Sequence, residues 1–547
     1  MKRILILLLV VVGVLAGCKH RDQQGIARPK LVVGIVIDQM RWDYLYRYYN
    51  RYGEGGFKRL LNNGFSCENT MLPYMPSYTG PGHTCIYTGS VPSIHGIAAN
   101  NWIDNITGEA MYCVDDNTVH LTGDASNAPS MSPRTLLTTT ITDELRLATN
   151  LKSRVYGIAL KDRGSILPAG HLANAAYWYS DKTGTFTTSS YYPNQNPAWL
   201  QAFNKRKVGD SLTKLNWKLL YDANSYDQST TDANNYEKPF KSEKTPVFPH
   251  VFDTLADTNR YAVIKSIPAG NAYTLQMARA CMQGENLGNG EATDFLAISL
   301  SSPDYAGHQF GPNSMEIEDM YLRLDKEIAD YLNYLDAKVG KGNYLLFLSA
   351  DHGAAHNTTY LSDLDVPSGI FKTNMVLDDM NAYLKGKFGK DSLIANALNY
   401  QLYLNNKLMT TANIDRDKVK AAITEWLNKR PEVGYVIDIE NIDKTPVPEP
   451  IRSMVVNGYN KMRSGSMWII PNPGWYEGAG NATAGTTHGT WQPYDTHIPL
   501  LWYGWHVKKG ASHKTVYMTD ISATLAAFLH IQMPNGCIGH VITDVIE

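Results

Sequence analysis

A chain of 547 residues has room for up to about three domains, and 44% hydrophobic with 19% charged residues excludes a disordered or fibrous protein. The balance of 50 basic against 52 acidic side chains, net −2, supplies no basic field for a nucleic-acid partner. The 34 tyrosines fit an exported protein with long surface loops.

Lys2 and Arg3 precede the apolar run Ile4–Ala16, which is short for a bilayer span and suits the core of a signal peptide. The run ends in Leu15-Ala16-Gly17-Cys18, a lipobox-like sequence. The expectation is a lipoprotein signal over 1–17, a lipid on Cys18, a polar tether over 18–30, and an exported, periplasmic protein that touches the membrane only through that anchor. An ordinary cleaved signal is the alternative. Cys67, Cys85, Cys113, Cys281 and Cys537 remain, and an odd number in an oxidising compartment leaves at least one free. Cys85 is expected to be a buried thiol, and Cys67 with Cys113 a disulfide. The lack of a CxxC pair argues against a cysteine zinc site.

The first element, Leu31–Ile37, is continuously apolar, as expected of a strand buried on both faces, and it ends in Asp38. A carboxylate at that end of a parallel strand stands where α/β folds bind ligands; a helix cap is the plainer reading. A helix is predicted from there to Leu61. The stretch 75–84 then sets Thr79 in a Pro/Gly-rich turn before a helix-compatible run, Thr84–Ser90. A hydroxyl at such a helix start is either an N-cap or a group beside an anion site. A helix is predicted over 135–150 and a strand over 154–160, which ends in Lys161-Asp162-Arg163-Gly164. On an extended chain Lys161 and Arg163 share a face, as a solvated edge or as an anion clamp.

From about 166 to 260 the sequence turns polar and tyrosine-rich and reads as an insertion. A strand at 294–300 leads into Asp304 and His308, and Ile317, Tyr321, Leu324, Ile328, Leu332 and Leu335 then recur at helical spacing. A strand at 344–350 ends in Asp351-His352-Gly353. A second insertion, about 367–480, carries helix patterns near 375–386 and 415–429. The core resumes with His488 in a Gly/Thr-rich loop, a strand over 497–503 and a helix over 520–529. Strands alternating with helices predict an α/β sandwich around a mostly parallel sheet, one catalytic domain over 31–547 with two insertions.

Zinc binds imidazole nitrogen and carboxylate oxygen. Asp304-x-x-x-His308 brings two such groups into one turn. Asp351-His352 points adjacent side chains in different directions, His488 can close a shell, and Asp38 adds a carboxylate. These motifs stand at three predicted strand ends and one loop, and together they have ligand chemistry for two zinc ions.

The motifs resemble those of the alkaline phosphatase superfamily, in its type I phosphodiesterase/nucleotide pyrophosphatase branch. The match runs through Pro76-x-x-Thr79-x-Pro81-x-His83, Thr88-Gly89, Pro92 and His95-Gly96-Ile97. Asp38-Gln39-Met40-Arg41-Trp42-Asp43 and Lys161-Asp162-Arg163-Gly164 are most similar to the phosphate-irrepressible (PafA-like) bacterial alkaline phosphatases. Diesterases of the branch carry Asp-Gly where this chain has Asp38-Gln39. The resemblance implies a three-layer alkaline phosphatase-like sandwich. It implies two Zn2+, one held by Asp304, His308 and His488, the other by Asp38, Asp351 and His352 with Thr79. It implies Thr79 as the nucleophile, forming a phosphothreonine. Asn100, favoured over Asn101 by its offset from Thr79, would bind phosphoryl oxygen with the Thr79 N–H, and Lys161 and Arg163 would take the remaining oxygens. The expected activity is hydrolysis of small phosphate monoesters by a monomer, with a diesterase on the same site as the alternative. A sulfatase would need Cys or Ser in a Cys/Ser-x-Pro-x-Arg context, which is missing here, and a degenerate binding protein would have lost a ligand or the nucleophile.

Overall fold

The computed structural model describes residues 27–122, 129–252, 255, 260–478 and 484–547. The signal segment and Cys18 lie outside the described residues. Five parallel strands form the centre of the main sheet: β1 (Leu31–Ile37), β2 (Val155–Ala159), β3 (Ala175–Ser180), β4 (Asp294–Leu300) and β5 (Tyr344–Ser349), in spatial order β3-β2-β4-β1-β5. β1, β2, β4 and β5 are buried along their whole length, which is why each reads as an unbroken apolar run rather than an alternating one. Because they are parallel, Asp38, Lys161 and Asp351 all emerge at one edge of the sheet, joined there by the segment after β4. Antiparallel strands extend both sides, Leu500–Gly504 beside β5 and Thr185–Ser189 beside β3.

Helix α1 (Thr79–Thr88) is buried at every residue and lies against the sheet. Gly34 on β1 makes room for the Tyr87 hydroxyl, since a Cβ there would stand 2.5 Å from it. Helix α2 (Asp162–Ala169) begins directly after β2, and α3 (Ser302–Phe310) directly after β4. Helix α4 (Met315–Leu335) is capped by Ser314, whose hydroxyl accepts the Ile317 N–H. The stretch read as a second insertion holds its own sheet (Ile394–Leu398, Gln401–Leu404, Met467–Pro471 and Val433–Asp438) and its own apolar core around Leu384, Leu402, Ile423 and Ile469.

Several expectations are corrected. No helix runs from Asp38 to Leu61: short helical pieces at Tyr44–Arg47 and Phe57–Asn63 are separated by Gly53, Gly55 and Gly56, where the Asp325 carboxylate accepts the Gly53 and Phe57 N–H groups. The helix expected over 135–150 is Ile141–Ala148, started by a Thr140/Asp143 capping box. The strand expected over 497–503 breaks at Pro499, which has no N–H for the ladder. The start of the tyrosine-rich stretch belongs to the main sheet, as β3 and its neighbour Thr185–Ser189. Cys67 and Cys113 are both thiols, not a disulfide: Cys67 lies on the strand Phe65–Met71, whereas Cys113 packs against Gly80. Cys85 is a buried thiol as expected.

Candidate active site

Thr79 opens α1, and its side chain is 1% exposed. Tyr78 before it is extended, and Pro81 sits in the first turn, where its missing N–H costs nothing. The Thr79 Oγ1 lies 3.3 Å from Lys161 Nζ and 3.5 Å from His352 Nε2. Gly82, one turn along, touches the end of β5: a Cβ there would be 2.5 Å from the Asp351 carbonyl oxygen. This close approach of backbones sets the nucleophile candidate beside Asp351 and His352.

The carboxylates converge on Lys161. Its Nζ is 2.5 Å from Asp304 Oδ2 and 2.8 Å from Asp38 Oδ2. Burial opposes its charge, but Asp304 and Asp38 outweigh that and raise its pKa. Burial, with Asp351 nearby, pushes Asp38 well up, and its Oδ1 accepts no hydrogen bond. Burial also opposes the charge of Asp304 and Asp351, yet His308 with Lys161 brings the first well down, and His352 with His83 brings the second down. His488 is driven well down by burial and by His352 and His308.

His308, one helical turn from Asp304 on α3, places Nε2 3.2 Å from Asp304 Oδ1. Its Nδ1 lies 2.9 Å from the Thr486 carbonyl. His488 Nδ1 meets the Ser77 carbonyl at 2.6 Å, and its ring stacks on His352 with centroids 3.5 Å apart. Ser77 also holds this loop through Gly489 N–H and Thr490 O.

Two groups of buried donors could each hold a metal ion, with ligand atoms within 4.8 Å of one another: Asp304, His352 and His488, and Asp38, His83 and Asp351. The division differs from the one the resemblance implies. His352 stacks toward His488, and His83 stands in its place, with Nδ1 3.3 Å from Asp351 Oδ2. The chemistry of the donors fits zinc, imidazole nitrogen and carboxylate oxygen in a buried setting, and Asp38 Oδ1, which accepts no hydrogen bond, could serve as a ligand atom.

Asn100 stands beside the start of α1, where its Oδ1 accepts the Gly80 N–H at 2.7 Å. Lys161 and Arg163 do not share a strand face. Lys161 is the N-cap of α2, so Arg163 lies in a helix, and its guanidinium turns to Tyr112 instead of to the carboxylates. Three contributors were not marked by the motifs as site residues with a role. His83 is one turn after Thr79 on α1, a spacing that could have exposed it. Gln39 has φ +65° and donates its amide to Asp304 Oδ1 at 2.8 Å; Gly307 leaves room for that amide, since a Cβ there would fall 1.8 Å from Gln39 Oε1. Tyr112 left no sequence signal.

Among known proteins, the chain is 52% identical over 95% of both lengths to a protein of Myroides odoratus named calcium-transporting ATPase. It is 48% identical to the alkaline phosphatase PafA of Elizabethkingia meningoseptica, over 100% of this chain and 99% of that one. A crystal structure of wild-type alkaline phosphatase PafA superposes with a TM-score of 0.92 at 48% identity, covering 96% of this chain and all of that one. The family model for type I phosphodiesterase / nucleotide pyrophosphatase matches residues 32–494, which include every candidate ligand from Asp38 to His488, and the chain belongs to that family.

Proposed function

We infer that this chain is an alkaline phosphatase, a hydrolase of phosphate monoesters that releases inorganic phosphate, with two zinc ions at the site and Thr79 as nucleophile. End-to-end similarity to alkaline phosphatases supports the activity. The observation that carries the chemistry is the Thr79 hydroxyl, held at the start of a buried helix among a cation, three carboxylates and four imidazoles. The ATPase name of the Myroides relative is compatible with this reading, because the terminal phosphate of ATP is also a dianion with three free oxygens.

His352 Nε2 also lies 3.4 Å from Asp351 Oδ2 and 3.7 Å from Asp38 Oδ1, so Asp38, Asp351 and His352 would hold one zinc and Asp304, His308 and His488 the other, with His83 beside Asp351. When bound, the metals lower the pKa of a ligated hydroxyl and stabilise the attacking and leaving oxygens. Thr79 Oγ1 then forms a bond to phosphorus as the alcohol leaves with a proton, and water cleaves that phosphothreonine, restoring the hydroxyl and releasing phosphate. Asn100 Oδ1 accepts the Gly80 N–H, which leaves the Asn100 NH2 to donate to a phosphoryl oxygen. Lys161 and Arg163 would meet the remaining oxygens.

A diester on the same site is the second reading, since the family name includes it. A monoester dianion has one more free oxygen and one more charge than a diester, so it gains more from Lys161 and Arg163. With ~1.5–3 kcal/mol for a hydrogen bond to a charged group, Lys161→Ala or Arg163→Ala is expected to lower monoester kcat/KM by about 10- to 100-fold. A matched diester should lose much less. Equal losses on both substrates would withdraw the monoester preference.

The anchor is proposed on the same footing. The mature N-terminus is expected at Cys18, lipid-modified, and among the described residues no helix is long and apolar enough to cross a membrane. Mass spectrometry finding an unlipidated start well downstream would dismiss it.

A further inference from the structure

Arg163 is held by its motif neighbour Asp162 and by Tyr112, which lies outside the motifs. Its side chain is 17% exposed, and Nη1 donates to the Tyr112 hydroxyl at 3.1 Å. The same hydroxyl donates to Asp162 Oδ1. That oxygen accepts the Arg163 backbone N–H at 2.6 Å and lies 4.0 Å from the guanidinium. Tyr112, Asp162 and Arg163 thus close a ring. Arg163 Nε is buried with no hydrogen-bond partner. Tying Nη1 leaves the Nε–Nη2 edge, the pair suited to bidentate contact with a phosphate.

Tyr112 is also joined to Asn100. It ends the hairpin Asn101–Ile103/Ala110–Tyr112, where it stands opposite Asn101, and the next residue, Cys113, donates its N–H to the Asn100 carbonyl at 2.9 Å. One hairpin therefore joins Asn100, beside the start of α1, to the residue that aims a guanidinium from α2.

We propose that Tyr112 is a positioning residue for phosphate recognition: its hydroxyl orients Arg163 through Asp162 and sets it in register with Asn100. The proposal rests on the reading of Arg163 as a phosphate contact. Without the hydroxyl, the guanidinium is restrained only by an ion pair at 4.0 Å, and a long side chain regains its rotamer freedom.

The test is a double-mutant cycle on the holoenzyme, read by monoester kcat/KM and by inhibition with inorganic phosphate. Tyr112→Phe keeps the ring and is expected to lower kcat/KM by about 5- to 20-fold and to weaken phosphate inhibition similarly. Asp162→Asn should behave alike. In an Arg163→Ala background, Tyr112→Phe should change either readout by less than about twofold, because nothing is left to orient. If Tyr112→Phe costs the same with and without Arg163, the tyrosine supports the fold and the proposal fails. If Tyr112→Phe is silent while Arg163→Ala slows monoesters, the clamp is wrong and the phosphatase reading stands. If Arg163→Ala is itself silent, the clamp fails together with the role given to Arg163.

Discussion

Thr79→Ala is expected to lower monoester turnover by about 10^3-fold or more, because it removes the atom proposed to bond to phosphorus. Metal content should stay close to that of the parent, since the six carboxylate and imidazole side chains are untouched. Thr79→Ser keeps the oxygen and should retain part of the activity. Rapid denaturation during turnover of a phosphate-labelled monoester should trap label on the parent and on Thr79→Ser, and none on Thr79→Ala. Near-parent rates or retained label in Thr79→Ala would refute the covalent route through this residue.

The second large effect is metal removal. A strong chelator is expected to abolish activity, and zinc should restore it better than magnesium. The reason lies in the donors: His308, His352 and His488 offer nitrogen, which zinc accepts and magnesium, preferring oxygen and water, does not. The measurement pairs metal analysis by mass spectrometry with monoester rates on one sample. Full activity in protein shown to be metal-free would end the two-zinc proposal, and recovery with magnesium alone would change the metal.

Much of this site was legible in the sequence because of where it hangs. Asp38 and Asp351 follow directly on strands that are buried on both faces, and Asp304 stands in the segment just after another; such strands announce themselves as unbroken apolar runs. The helix after Asp304 was legible from its apolar spacing, and its N-cap Ser314 agrees. What escaped depends on partners distant in sequence. Gln39 works through Asp304, and Tyr112 through Asp162, so neither has a local pattern. The relation between Lys161 and Arg163 was misjudged because the chain changes from strand to helix between them, and a two-residue spacing then no longer means a common face. The helix predicted after Asp38 failed because three glycines interrupt it and a carboxylate from α4 takes up the freed N–H groups.

The candidate ligands are spread from Asp38 to His488, and only short pairs such as Thr79 with His83, Asp304 with His308 and Asp351 with His352 are neighbours in the chain. An unfolded chain therefore presents at most scattered bidentate sites, and a chain that crosses a membrane unfolded carries no assembled centre with it. Metal would be acquired after export, from whatever its surroundings hold. Because the unfolded state competes poorly for the ion, nearly all of the binding free energy would appear as resistance to unfolding, about 4.1 kcal/mol for each site at a thousandfold excess over Kd. On the proposed two-zinc, exported reading, the zinc supply of that compartment would then govern how long the protein lasts as well as how fast it works.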